Sequence, residues 1–90
     1  MLRKNLDDLE TNGQKGDWAF LNGDKNIAVR YGEKAFTGMV ILPLEGPGAW
    51  EWNGSKDSPT LTPSILVESV PDWNDGWHGY LRDGGLITLT

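Results

Sequence analysis

Glycine and proline interrupt this chain so often that a long helix has little room to form. Twelve glycines and five prolines divide its 90 residues into short runs rich in β-branched and aromatic side chains. After residue 12 strands are therefore the default. Before that point Leu2, Leu6 and Leu9 recur at helical spacing, which predicts a short helix or a frayed arm over residues 1–12, ended by Asn12-Gly13.

The strands can be placed from their punctuation. Residues 17–21 and 26–31 flank Asn22-Gly23-Asp24-Lys25, the composition of a hairpin loop. Residues 37–42 read as a buried strand stopped by Pro43. Residues 49–52 form a short strand between Gly46-Pro47-Gly48 and Asn53-Gly54, with Trp50 and Trp52 on one face because side chains alternate. Pro59 and Pro63 cannot donate to a central ladder, so the stretch between them is edge-like or extended, and pairing resumes over residues 64–68. After a polar loop, residues 77–82 and 86–89 close a last hairpin across Asp83-Gly84-Gly85. The expected fold is mainly β, a small twisted antiparallel sheet rolled into a partial barrel or sandwich.

With 90 residues and no internal repeat, the chain is a single domain over residues 1–90, close to the size at which one core is only just sufficient. Cysteine is absent, which removes disulfides, thiolate zinc sites and a cysteine nucleophile together. Five tryptophans must then supply much of the packing or a ligand platform, and Trp50 or Trp52 is expected to anchor the core. A net charge of −5 and scattered basic residues argue against nucleic acid and anionic membrane as partners. No apolar run is long enough to span a membrane, and Met1–Asp8 carries charges where a signal peptide would be apolar, so a cytoplasmic location is expected.

Chemistry, if present, passes through the second half. His78 is the only histidine, and it lies close in sequence to the proline-flanked Ser64 and to several carboxylates. No P-loop, histidine cluster or Gly-x-Ser-x-Gly elbow occurs. No cofactor and no metal are expected, since one histidine cannot build a transition-metal site and the acidic residues Glu68, Asp72, Asp75 and Asp83 lack EF-hand spacing.

Three segments taken together carry a resemblance. They are Trp50-Glu51-Trp52-Asn53-Gly54, Pro59-Thr60-Leu61-Thr62-Pro63-Ser64-Ile65 and Trp77-His78-Gly79-Tyr80-Leu81-Arg82-Asp83-Gly84. Over residues 38–88 the chain resembles a family of small phage and bacterial proteins long catalogued as of unknown function and often mislabelled "ammonia monooxygenase". Relatives found beside bacterial ubiquitin-like conjugation genes look like serine peptidases that process or remove the ubiquitin-like protein. The resemblance implies Ser64 as nucleophile, His78 as base and Asp83 as the orienting acid. Many relatives carry cysteine pairs, which in some imply a zinc site, and often a cysteine immediately before the histidine, whereas this chain has Trp77 there and no cysteine.

The residues themselves bear on that transfer. A neutral imidazole suits the activation of a serine hydroxyl near pH 7, and neighbouring strands can bring residues 64 and 78 together. The plainer reading makes Ser64 a turn cap and His78 a half-buried strand residue. Asp-Gly is also a strong hairpin turn pair, so Asp83 has a structural role available, and Asp72, Asp75 or Glu68 could orient the imidazole instead, or a dyad could operate without one. Gly76, Gly79 and the N–H groups of Ser64 or Ile65 are candidate oxyanion donors. Thr60, Thr62, Trp52 and Trp77 are the candidate substrate-binding residues.

The leading expectation is a serine-peptidase-like hydrolase of phage type, acting on a peptide or a ubiquitin-like C-terminus, in the host cytoplasm if phage-encoded. The alternative is a non-catalytic phage accessory module of the anti-defence type, which occupies or sequesters a host component. A structural or oligomeric role, with a dimer as one form, is a third class.

Overall fold

The computed structural model describes residue 9 and residues 13–33, 37–72 and 76–89. The architecture is mainly β, with eight short strands among the described residues. β1 (Trp18–Leu21), β2 (Asn26–Arg30) and β3 (Met39–Pro43) form one antiparallel sheet with β2 in the centre. β4 (Glu51–Trp52) pairs with β5 (Leu61–Thr62), and β6 (Ile65–Val67), β7 (Trp77–Arg82) and β8 (Gly85–Thr88) form a third sheet with β7 in the centre.

Both predicted hairpins are present, and their turn residues explain them. Asn22, Gly23 and Asp24 take φ values of 53°, 63° and 67° between β1 and β2, a left-handed run that Asn, Gly and Asp tolerate best. Asp83 and Gly84 take 51° and 74° between β7 and β8, where Arg82 pairs with Gly85, so the connection is a two-residue turn of the I′ kind. Gly84 has a packing reason as well, because a Cβ there would meet the Trp18 ring at 3.2 Å and the Ser58 backbone at 3.3 Å.

The fold is mainly β and antiparallel, as expected; its strands make three small sheets, and none closes into a barrel. The cause is length, since Gly and Pro cut the strands to between two and six residues. Residues 37–42 were expected to be a buried strand, yet β3 is an edge strand on which Leu42 is buried and Ile41 is half exposed. Pro43 ends it without disturbing a central ladder, because it lies on that edge. Of the predicted N-terminal arm only Leu9 is among the described residues. It is buried with Ala19 and Ala28 on the outer face of the first sheet, and its carbonyl accepts a 2.8 Å hydrogen bond from the buried Arg30 guanidinium.

One core is shared by all three sheets. Trp18, Ile27, Val29, Tyr31 and Leu42 come from the first sheet and its exit, Leu61 from the second, and Ile65, Trp77 and Leu81 from the third. The Tyr31 and Trp77 rings stack at 5.7 Å across it. The anchoring tryptophans are Trp18 and Trp77, not Trp50 or Trp52, which are only half-buried and pack against the cluster from its side. The Trp50 Nε1 is nonetheless buried with no hydrogen-bond partner among the described residues. No described helix is long and apolar enough to cross a membrane.

Candidate active site

Alternation along the third sheet sorts its residues cleanly. Ile65, Trp77 and Leu81 face the core, and so Leu66, His78 and Tyr80 face outward. Leu66 stands directly opposite His78 in the β6–β7 ladder. Ser64, two residues before Leu66 on the same side, is therefore diagonal to His78, within reach of a side chain as long as imidazole. Its Oγ lies 3.1 Å from His78 Nε2, a hydrogen-bond distance. Both residues are half-buried, so the pair is held by the sheet while remaining open to solvent. A hydroxyl and an imidazole so arranged can pass a proton as the oxygen attacks an acyl carbon.

Asp83 is not brought to this pair. Five steps of extended chain separate it from residue 78, roughly 17 Å at the strand rise. It sits in the turn at the far end of β7, where its N–H donates to Thr60 Oγ1 at 2.9 Å and its carboxylate faces the same hydroxyl at 3.5 Å. The next N–H, that of Gly84, donates to the Pro59 carbonyl at 2.9 Å. Among the described residues no carboxylate is hydrogen-bonded to the His78 ring. Of the other acids weighed for that role, Glu68 and Asp72 are exposed, and Asp75 lies outside the described residues, as does Trp73.

The candidate binding residues divide in the same way. Trp77 turns into the core, with only 8% of its surface exposed, and its Nε1 donates to Thr88 Oγ1 at 3.1 Å. The alternation that aims His78 outward aims its neighbour inward. Trp52 is half-buried against Phe20, with ring centres 5.0 Å apart, and donates to the Ser55 carbonyl at 2.9 Å. Thr60 is occupied with Asp83, and Thr62 is exposed opposite Glu51.

Backbone direction narrows the oxyanion donors. Leu89 N–H donates to the His78 carbonyl at 2.8 Å, so the main chain of His78 points to β8 and that of Gly79 points to β6, where Ile65 is its partner. The N–H groups of Gly79 and Ile65 are thereby turned into the ladder. Gly79 serves packing instead, since a Cβ there would meet the Ile87 carbonyl at 2.1 Å and the Trp77 ring at 2.5 Å.

Asn53, which the sequence marks as a turn residue without a site role, organises the loop that supports the β7–β8 turn. Its Oδ1 accepts from the N–H groups of Ser55 and Thr60, each at 3.1 Å, and its Nδ2 donates to the Ser58 carbonyl at 3.2 Å. Trp18 Nε1 adds a 3.2 Å bond to the Lys56 carbonyl. The available clue was an Asn-Gly pair directly after a strand, where an Asn side chain can bond the backbone two residues on.

Neither the curated proteins nor the solved structures include a match to this chain. A family model does match it over residues 32–89, a span that holds the Trp-x-Trp-Asn-Gly segment, Ser64, His78 and Asp83 but leaves β1 and β2 outside. The match covers more than half of the chain, and the chain belongs to the family described as bacterial ubiquitination-like system serine protease (BubE).

Proposed function

We propose that this chain is a serine hydrolase with a Ser64–His78 dyad, acting on a peptide or on the C-terminus of a ubiquitin-like protein, and that it is of phage type. The single observation that carries the reading is the 3.1 Å contact between Ser64 Oγ and His78 Nε2 on an outward sheet face. Membership in a family described as a serine protease of a ubiquitination-like system supports it.

In this reading Ser64 Oγ attacks the carbonyl carbon of the scissile bond and its proton passes to His78 Nε2. The oxygen of the tetrahedral intermediate is met by the N–H of Ser64, which lies one residue before β6, outside the paired positions of the ladder. As the bond to the leaving group breaks, His78 returns the proton to that group, leaving an acyl-Ser64 ester. Water then repeats the sequence, with His78 as base, and releases the acid and the free hydroxyl. Asp83 holds the β7–β8 turn through Thr60, and the dyad works without it.

The test is labelling with a fluorophosphonate probe, compared between the native protein and Ser64→Ala. Stoichiometric label on the native chain and none on the variant is expected; an unlabelled native protein defeats the reading. The non-catalytic accessory module would then stand, and the exposed Leu66, Ile87 and Leu89 on the same face are the observation in its favour.

A further inference from the structure

The outer face of the third sheet is apolar where an exposed antiparallel face is ordinarily polar. Leu66, Ile87 and Leu89 are 65%, 40% and 47% exposed, and all lie on the side opposite to Ile65, Trp77 and Leu81. Register arranges them around the dyad. Leu66 is opposite His78 on one strand and Leu89 is bonded to His78 on the other, so the imidazole lies between two leucines in one cross-strand row. In the next row Ile87 pairs with Tyr80, whose ring is capped by the Arg82 guanidinium at 4.7 Å, and Ser64 follows one step beyond the ladder.

We propose that Leu66, Leu89 and Ile87 form a specificity shelf that selects substrates with a large apolar side chain next to the scissile carbonyl. The inference rests on the dyad reading given above. Leu66 lies two residues from Ser64 on the same side of β6, roughly 7 Å along the strand, so a carbonyl carbon that reaches Ser64 Oγ has its neighbouring side chain within reach of this row. An apolar side chain there removes leucine surface from water, whereas glycine covers none and an acidic side chain would lose its own hydration against the leucines. A second copy of the chain is a poorer occupant. Three partly exposed side chains fall well short of the roughly 800 Å² per partner of a stable interface, but they suffice for one side chain.

The test uses 4-nitrophenyl esters of N-acetyl-leucine, N-acetyl-phenylalanine, N-acetyl-glycine and N-acetyl-aspartate, each rate divided by its uncatalysed hydrolysis. Ser64-dependent kcat/KM for the leucine and phenylalanine esters should exceed that for the glycine and aspartate esters by about tenfold or more. That ratio should fall towards one in Leu66→Ser and Leu89→Ser, with circular dichroism confirming that the variants are folded. Ser64-dependent turnover without this preference, or a preference untouched by both substitutions, overturns the shelf and leaves the dyad standing. No Ser64-dependent turnover of any ester, with no fluorophosphonate label, removes the hydrolase reading and the shelf with it. A concentration-dependent dimer in sedimentation equilibrium that Leu66→Asp dissociates assigns the face to a second copy instead, and also overturns the shelf.

Discussion

Ser64 meets His78 on the diagonal of the β6–β7 ladder, not across it: Leu66 occupies the opposite position, and the serine one residue before the strand reaches the ring from two places away, at 3.1 Å. The contact thus depends on the register of β6 against β7. A slip of one residue would turn Ser64 towards the core and break it.

Replacing either member should remove the chemistry and leave the fold. Ser64→Ala and His78→Ala should each abolish fluorophosphonate labelling and ester turnover, and the double variant should be no worse than either, because the two act as a unit. Each loses one half-buried hydrogen bond, so urea unfolding should show a loss of about 1 kcal/mol.

Asp83 should matter to the turn more than to the rate. Asp83→Asn keeps a side chain that tolerates the observed φ of 51° and should leave ester turnover within about twofold of native. Thr60→Val removes the acceptor of the Asp83 N–H and should cost about 1–2 kcal/mol by denaturant unfolding. A rate collapse in Asp83→Asn at unchanged stability would make its carboxylate part of the catalytic group.

Gly79→Ala should destabilise the third sheet, because the added methyl meets the Ile87 carbonyl and the Trp77 ring. Overpacking of this kind costs about 1–3 kcal/mol. Thermal unfolding should show the loss, and partial recovery in Gly79→Ala/Trp77→Phe would trace it to the ring.

Trp18→Ala and Trp77→Ala should each cost about 3–5 kcal/mol, enough to prevent folding of a domain this small. Alanine at half-buried Trp52 should be milder. Equal losses at all three positions, read by denaturant midpoints, would contradict the assignment of the core anchors.

Thermal unfolding should be indifferent to EDTA. One histidine and no cysteine leave no transition-metal donor set of the ordinary kind. A drop in Tm on chelation would point to the carboxylates of residues 68–83.

Features set by neighbouring residues can be read along the chain. Gly and Pro spacing limited the chain to short strands, Asn22–Lys25 and Asp83-Gly84 specified the two hairpins, and three motif segments marked the family. Turn chemistry and strand alternation are local, so they are legible along the chain. Which of the candidates share a place is set by long-range packing. That Trp77 rather than Trp50 fills the core and that Asp83 bonds Thr60 23 residues away follow from sheets meeting across the core, and that Leu66 and Leu89 flank His78 on an exposed face follows from the pairing of β6 and the C-terminal strand with β7. Alternation says that residues 77 and 78 face opposite ways, but only packing against Tyr31, far off in the chain, selects which of them is buried.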